Sequence, residues 1–328
     1  MFKKLISFTV LLSLIFLIGC TVSIPIRKPL TSEFQYIQKS EKKVVIKIVD
    51  QRVDKQFHKG ASKLKKAIES GKIIIENMGD PLQFLANNLE KEFNIRGIPV
   101  ICKIDNTDKT EADMTLNIEI YQIVSRRVSG WSPWESYHSF KGILINGNSK
   151  HPIYAYFCDM KVPVWSMQEI VEPCFNRPIS IITKEIVSKI NHKVFMYNTS
   201  DEKVDSLANI IEADIGKEDN DELYLKILEL GSSNNENAIE YLKKYSNASN
   251  QFLSAVTLSC IGFLGSENEF DFLVEKYNEL TLIAKFMALK SIGDIGSQKS
   301  LEFIKKAKED ELYESEDGFK SCVDLYLN

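Results

Sequence analysis

The chain has 328 residues, of which 44% are hydrophobic and 10% aromatic, a composition that excludes a disordered protein. Its net charge of −4 conceals a division, because residues 20–200 carry 26 Lys and Arg against 19 Asp and Glu, whereas residues 201–328 carry 13 against 26. The resulting balances of +7 and −13 indicate two separately built parts. The basic part is too weakly charged to predict nucleic-acid binding.

The first twenty residues have the pattern of a bacterial lipoprotein signal. Lys3 and Lys4 precede an apolar run that is shorter than the ~20 residues a transmembrane helix needs. The run ends in Leu17-Ile18-Gly19-Cys20, which resembles the lipobox of bacterial lipoproteins. This resemblance implies that residues 1–19 are cleaved and that Cys20 carries diacylglycerol and a further acyl chain such as palmitate. A plain secretory signal and an uncleaved membrane anchor are the alternatives.

The residue after the lipobox bears on the membrane to which the protein is sorted. Position 21 is Thr21, whereas an Asp there retains lipoproteins in the inner membrane of enterobacteria-like cells. By this resemblance we expect an envelope protein that is anchored in the outer membrane and faces the periplasm.

Residues 20–41 are expected to form an extended, lipidated tether, because Pro25 and Pro29 interrupt any regular period. Residues 42–197 are predicted to form a small α/β domain. A buried strand is indicated at 44–49 and a half-buried strand at 114–121, with further strands at 72–76, 98–104, 140–145 and 153–164. Asp80 and Pro81 begin one helix that Gly97 ends, and a second helix covers 178–195. The order predicts an α/β sandwich with a largely antiparallel sheet and helices on one side, which together with an all-α second part makes the chain α+β.

Several of these features are shared with one family. The lipobox, the strand at 44–49 running into Asp50-Gln51-Arg52-Val53-Asp54, the Asp80-capped helix and the alternating strand after Asp113 resemble the YajG-like bacterial lipoproteins. The resemblance covers roughly residues 1–197, brings no reaction with it, and implies an accessory role in the cell envelope.

Residues 203–328 contain no proline and have helical periodicity with short turns. The segment Leu258 to Ser266 recurs 31 residues later as Leu289 to Ser297, and a weaker copy begins at Ile227. The pattern resembles short bacterial HEAT-like repeats, which implies stacked helical hairpins. We expect Gly262 and Gly293 where helices approach closely and Gly265 and Gly296 in the turns. Four side chains are expected to be buried between units: Leu258, Phe272, Leu289 and Phe303.

Two groups of residues are candidates for binding. Asp50 and Arg52 lie at a strand end, where they either bind a polar ligand or form an ion pair that holds a turn. The aromatic group Trp131, Trp134, Tyr137 and His138 lies in a predicted hairpin connection, where aromatic side chains serve as binding anchors or fold back onto the core.

Catalysis and metal binding are not predicted. The sequence lacks the Gly-x-Ser-x-Gly, His-Glu-x-x-His and phosphate-loop motifs, and its four histidines have no metal-ligand spacing. Five cysteines besides Cys20 cannot all pair within one chain, and a Cys158–Cys174 disulfide or buried thiols are both possible. We therefore expect no enzyme activity and no cofactor.

The function predicted from the sequence is that of an envelope adaptor. Lipid on Cys20 would hold the protein at the membrane, and the helical repeats would bind an envelope protein. The alternative is a small-molecule or glycan-binding module that uses the aromatic loop at 131–140. Nucleic acid is not an expected partner.

The lipobox makes a direct prediction about Cys20. Replacing it (Cys20→Ala) should leave the precursor unprocessed and abolish incorporation of radiolabelled palmitate, because the thiol is the group that accepts the lipid. Gel mobility and acyl labelling in the producing bacterium measure both effects. Palmitate incorporation that persists in the variant would show that the chain is not lipidated at this residue.

Overall fold

A computed structural model describes residues 22–25, 35–53, 58–59, 73–76, 80–105, 111–127, 136–159, 176–217 and 222–327. The strands are β1 (Val22–Pro25), β2 (Val44–Asp50), β3 (His58–Lys59), β4 (Ile73–Glu76), β5 (Val100–Ile104), β6 (Met114–Arg127), β7 (Ser136–Asn146) and β8 (Ser149–Cys158). The helices of the first part are α1 (Pro81–Ile95) and α2 (Arg177–Ile190). The helices that follow are α3 (Asp201–Asp214), α4 (Leu223–Gly231), α5 (Asn237–Tyr245), α6 (Gln251–Leu264), α7 (Phe270–Glu279), α8 (Leu282–Ile295), α9 (Gln298–Lys306), α10 (Leu312–Ser315) and α11 (Asp317–Leu327). The fold is α+β, as the sequence predicts.

The main sheet has the order β5-β2-β6-β7-β8, with the short β3 beside β6. Strands β5, β2 and β6 run parallel, whereas β6, β7 and β8 form antiparallel pairs. The prediction of a largely antiparallel sheet is therefore wrong in its first half. The reason is that α1 lies in the connection from β2 to β5, and a helical crossover returns the chain in the direction of the first strand.

The sheet carries helices on both faces at its β8 end. Helices α1 and α2 pack on one face, where β2 and β6 contribute alternate buried residues such as Ile46 and Ile118. Helices α8 and α11 contact β8, α11 also contacts β7, and the Tyr156 hydroxyl of β8 donates a 2.7 Å hydrogen bond to the Gly318 carbonyl. The expectation of helices on one side only is corrected by this second layer.

Helix α1 begins and ends as its sequence indicates. The Asp80 side chain accepts a hydrogen bond from the Leu82 amide, Pro81 occupies the first turn, and Gly97 follows the helix with φ of 89°. Its buried face consists of Leu82, Leu85, Ala86, Leu89, Glu92 and Phe93.

Helix α2 is the central element of the molecule. Each residue of Pro178–Ile190 except Lys189 is buried, which is unusual for a segment that contains Lys184 and Glu185. The sheet and α1 cover one side of the helix, and α6 covers another. One π-helical turn, Asn191–Phe195, ends the element, and Met196 follows with φ of 55°.

The second part is helical, and three glycines recur in it at equal spacing. Gly231, Gly262 and Gly293 are spaced by 31 residues, and each faces the next helix of the row α4, α6, α8 and α11. A Cβ atom on Gly262 would lie 2.9 Å from the Ser291 Cα atom, and one on Gly293 would lie 2.7 Å from the Tyr326 ring. The close approach expected at these glycines is confirmed.

The other repeat expectations are confirmed in part. Gly265 and Gly296 end α6 and α8 with φ of 57° and 69°, which is the left-handed conformation that glycine adopts without strain. Leu258 and Leu289 are buried completely. Phe272 and Phe303 are only partly buried, because they lie on the outer helices α7 and α9 and not between the inner ones.

The two parts share one continuous hydrophobic core that includes Ile186, Phe252 and Leu289. The edge of Phe157 on β8 packs against Phe252 on α6 with ring centroids 6.0 Å apart. Because nearly all residues of α6 and α8 are buried, we expect residues 42–197 and 203–328 to unfold together and not as independent domains.

The expected tether at 20–41 is too long. Tyr36 is buried, its amide donates a hydrogen bond to the Arg96 carbonyl, and β1 pairs in parallel with β4 outside the main sheet. Residues 35–41 therefore belong to the folded body. Among the residues that the structure describes, no helix has the length and apolar character needed to cross a membrane.

The helix contact at Gly262 predicts an inverted effect for a helix-promoting substitution. Gly→Ala inside a helix normally stabilises by ~0.5–1 kcal/mol. At Gly262 the added methyl would meet the backbone of α8, so Gly262→Ala should instead destabilise by roughly 1–3 kcal/mol. Urea unfolding measures the difference, and Gly216→Ala is the control because nothing lies within 4 Å of a Cβ there. A stabilised Gly262→Ala variant would contradict the close approach.

Candidate functional site

The sequence-predicted site residues do not form one cluster. Cys20, Trp131 and Trp134 lie outside the residues that the structure describes. Asp50, Arg52, Tyr137 and His138 are described, and all four side chains are largely buried. Their surroundings separate residues that support the fold from residues that could contact a ligand.

Asp50 and Arg52 form a local ion pair at the carboxyl end of β2. The Arg52 Nε atom donates to Asp50 Oδ1 at 2.9 Å, Nη2 donates to Oδ2 at 3.2 Å, and the Arg52 amide donates to Oδ1 at 3.1 Å. A carboxylate that accepts three bonds from a residue two positions away holds a turn. The turn interpretation of this pair is therefore favoured over ligand binding.

Tyr137 and His138 point to opposite faces of β7, as neighbouring residues of a strand must. Tyr137 stacks on Tyr156 on the face that α11 approaches, with ring centroids 6.4 Å apart. His138 lies on the other face and lines a small apolar cavity of about 40 Å³ with Phe84, Ile123 and Ile182. That volume holds one or two water molecules and is far below the size of a ligand pocket.

A much larger cleft of about 530 Å³ lies between the sheet and α11. Its volume is within the range of ligand sites in proteins. The sheet contributes one wall, made of Gln51, Val53, Tyr121, Gln122, Tyr137 and Lys141. Helix α11 contributes the other wall, made of Asp317, Lys320, Ser321, Asp324 and Leu325. We refer to this space as the α11 cleft.

The α11 cleft is lined by positively and negatively charged side chains and by two tyrosines. The Lys141 ammonium lies 5.9 Å from the centroid of the Tyr154 ring, and Tyr121 is 41% exposed. The Tyr121 hydroxyl donates to Glu119 Oε2 at 2.8 Å, and this hydrogen bond raises the pKa of Tyr121. The site therefore offers an exposed ring, an ammonium and neutral hydrogen-bonding groups at one opening.

On α11 the carboxylates differ in how far they are engaged. Asp324 accepts a 2.9 Å hydrogen bond from the Tyr313 hydroxyl, and Lys320 lies 4.6 Å from the centroid of that ring. Asp317 and Ser321 line the opening further along the same helix face. The carboxylates could accept hydrogen bonds from a hydroxyl-rich ligand, and the Ser321 hydroxyl and the Lys320 ammonium could donate hydrogen bonds to it.

A dense set of titratable groups lies elsewhere in the described structure and is almost completely buried. We call it the Lys290 cluster: Glu185 and Lys189 on α2, and Lys290 and Asp294 on α8. Lys290 Nζ lies 2.6 Å from Glu185 Oε1 and 2.8 Å from Asp294 Oδ2. Lys189 Nζ lies 2.6 Å from both Glu185 Oε1 and Asp294 Oδ1.

The electrostatics of the Lys290 cluster fit a structural role. Burial opposes the charge on Lys290, but Asp294 and Glu185 outweigh it and raise the pKa of Lys290. Burial and Asp294 likewise raise the pKa of Tyr326, whose hydroxyl donates to Asp294 at 2.7 Å. A general acid or base must contact substrate, and a group enclosed between helices does not. Among the described residues of the cluster, Glu185, Lys290 and Asp294 are buried and only Lys189 is partly exposed, at 11% of its side chain.

The cysteines of the described residues are not activated. Burial raises the pKa of Cys102, Cys260 and Cys322 well above the ordinary thiol value. Cys158 is buried at the end of β8, and its suggested partner Cys174 lies outside the described residues. Within the described part of the chain, no group of three His, Cys, Asp or Glu residues could hold a metal ion.

Comparison with known proteins does not identify the chain. No family model matches it, and no curated protein matches it. A solved structure titled "Crystal structure of uncharacterized protein" aligns with 52% of this chain and 99% of its own length, at 15% identity and a TM-score of 0.30.

The sequence analysis missed the α11 wall of the cleft. Asp317, Lys320, Ser321 and Asp324 have helical spacing, which places them on one polar face. That signal was present in the sequence. It does not reveal which strand the face lies against, because the contact between α11 and β7 joins residues about 180 positions apart.

The Lys290 cluster predicts a large difference between buried and exposed lysines. Lys290→Met should destabilise the protein by roughly 3–5 kcal/mol, because it leaves two buried carboxylates with one ammonium. Lys299→Met is the matched control, since its ion pair with Asp271 is exposed and should contribute less than about 1 kcal/mol. Denaturant unfolding gives both values. Similar losses in the two variants would contradict the importance of the buried network.

Proposed function

We propose that this protein is a lipid-anchored binding protein of the bacterial cell envelope that takes a hydroxyl-rich ligand, such as a glycan, in the α11 cleft. The observation that carries the proposal is the cleft itself, which has the volume of a ligand site and walls from both parts of the chain. Its exposed Tyr121 ring offers the flat apolar surface on which a sugar ring can stack.

Support also comes from the polar groups around that ring. Gln51, Gln122 and Ser321 provide neutral donors and acceptors, whereas Lys141 and Asp317 provide one charge of each sign. Such a set can bond many hydroxyl groups without demanding a charged ligand. Of the described residues that line the cleft, the two carboxylates, Asp317 and Asp324, lie seven residues apart on one helix and do not face each other across the cleft, an arrangement that favours binding over glycoside hydrolysis.

Anchoring is proposed from the lipobox at Leu17 to Cys20, and it would hold the protein in the outer membrane, facing the periplasm. Two acyl chains are needed for stable anchoring, and a lipid-modified Cys20 would supply them. This part of the proposal is tested by the Cys20→Ala experiment and does not depend on the ligand.

A protein-binding adaptor is the second candidate function. The 31-residue spacing of Gly231, Gly262 and Gly293 favours stacked HEAT-like hairpins, whose surfaces commonly bind proteins. Here α2 and the sheet already cover α6 and α8, so a partner would have to bind the outer helices. Ile210 on α3 is 43% exposed and marks that surface, and a photocrosslinker there would capture an envelope protein if the adaptor function is correct.

The α11 cleft predicts a local blocking mutation. Ser321→Trp should fill the space between α11 and the sheet and weaken binding of a saccharide by at least roughly tenfold, or about 1.4 kcal/mol. Saturation-transfer NMR against a panel of bacterial oligosaccharides finds the ligand, and calorimetry measures the affinity. Ser149→Trp at the exposed β7–β8 turn is the control. If the panel yields no ligand, or if both variants bind equally well, the cleft is not the site.

A further inference from the structure

Two large apolar side chains are exposed close together near the point where the chain enters the folded body. Ile37 is 59% exposed, directly after the buried Tyr36, and Met196 is 70% exposed. Hydrogen bonds hold the two segments side by side, because the Ile37 amide donates to the Asn198 carbonyl at 2.8 Å. The Gln38 side chain donates to Asn198 Oδ1 at 2.8 Å and accepts from the Asn198 amide at 3.0 Å. Ile37 and Met196 therefore lie on neighbouring segments of the surface, and both side chains are exposed there.

The backbone of Met196 lies in the left-handed region. Met196 has φ of 55°, a conformation that costs energy for a residue with a Cβ. Its amide donates to the Asn191 carbonyl at 2.7 Å, and the Asn191 side chain donates to the Tyr197 carbonyl at 2.7 Å. Met196 thus ends the helical turn in the left-handed conformation, held by bonds of the buried Asn191, and its own side chain is left 70% exposed.

Basic side chains outnumber acidic ones in the two segments that carry Ile37 and Met196. Lys39, Lys42 and Lys43 are exposed in the segment after Ile37 together with Glu41, and the exposed Asp113 carboxylate accepts a 2.8 Å hydrogen bond from the Lys43 amide. Lys193 is exposed one turn before Met196. We call Ile37, Lys39, Lys42, Lys193 and Met196 the basal face. It combines two exposed apolar side chains with three ammonium groups.

The basal face lies at the amino ends of the parallel strands. The Ser40 amide donates to the Gly97 carbonyl, and Val44 begins β2 opposite Val100 and Met114. The α11 cleft lies at the other end of β2, beyond Asp50. Six residue steps of a strand separate the two ends by about 20 Å.

We infer that the basal face rests on an anionic phospholipid surface and that the α11 cleft consequently points away from the membrane. The inference rests on the proposed anchor, since Cys20 lies 17 residues before Ile37. Exposed apolar side chains enter the interfacial layer of a bilayer, and lysines beside them are attracted by acidic headgroups. A membrane partner explains why this surface includes residues close in sequence to Cys20, whereas a protein partner would not require it.

The test uses the full lipidated protein in vesicles of phosphatidylethanolamine and phosphatidylglycerol and measures the reactivity of single lysines with an amine reagent by mass spectrometry. Lys39, Lys42 and Lys193 should become severalfold less reactive than in detergent, whereas Lys306 on α9 and Lys320 in the cleft should not change. Protection should disappear in phosphatidylcholine vesicles. It should also disappear in the double variant Ile37→Ser, Met196→Ser, but not in Ile210→Ser, which alters an exposed residue elsewhere.

The outcomes separate the surface from the anchor. If the protein fails to float with the vesicles, the proposed lipid anchor on Cys20 is wrong, and the inference that the basal face rests on a membrane is rejected as well. If the protein floats but the three lysines keep their reactivity, the anchor stands and the basal face is wrong. Protection that persists in phosphatidylcholine would overturn the choice of an anionic surface. None of these results depends on whether the cleft binds a saccharide.

Discussion

The structure depends on how α2 accommodates two adjacent buried charges. Lys184 and Glu185 are neighbours on a helix that is covered on all sides, and their side chains leave it in different directions. Removing an ion from water costs several kcal/mol, so each charge needs a partner of opposite sign within the protein. Lys184 forms an ion pair with Glu92 on α1, and Glu185 forms one with Lys290 on α8. The helix is thereby fixed in position and in rotation about its axis.

The partners of α2 connect it to both parts of the chain. Arg96 lies 2.8 Å from the same Glu92 carboxylate, and its guanidinium donates to the Tyr36 hydroxyl and to the Ser232 carbonyl at the end of α4. On the other side, Lys290 donates to the Ser259 hydroxyl of α6 at 3.1 Å. One polar network therefore joins α1 and α2 to the end of α4, and the other joins α2 to α6 and α8. The second also reaches the sheet, because Lys189 donates to the Tyr154 carbonyl of β8 at 2.6 Å. Apolar packing alone would allow α2 to shift or rotate relative to its neighbours, because the hydrophobic effect has no fixed direction.

The sequence indicates most elements of this fold because their signals are local. Asp80 and Pro81 begin a helix and Gly265 ends another by interactions within a few residues, and those positions are confirmed. Strand direction is not a local property. The runs at β2 and β5 have the same hydrophobic pattern in a parallel or an antiparallel pair, and only the α1 crossover decides between them.

The buried charges show a second limit of sequence analysis. Lys184, Glu185 and Lys290 have helical neighbours that suggest solvated faces, and nothing in their local pattern shows that they pair over 90 residues or more. The α11 cleft has the same origin, because its two walls are distant in the sequence. Candidate residues chosen from one loop, such as Tyr137 and His138, are then divided between opposite faces of the sheet.

The same packing bears on the protein-binding surface that the sequence leads one to expect on the helical hairpins. In a stack of hairpins the inner helices are apolar and need a cover, which is either a partner or another part of the chain. Here α2 and β8 provide that cover, and the Lys290 cluster fixes it with four charges that sum to zero. With the inner row occupied, α11 at the end of the stack is brought against the outer face of β7. The cleft is the space between α11 and the sheet beside that contact. The cleft therefore exists because the helical hairpins pack against the sheet of the same chain. In a protein whose two parts share one core, a candidate site lies between the parts and not on the hairpins alone.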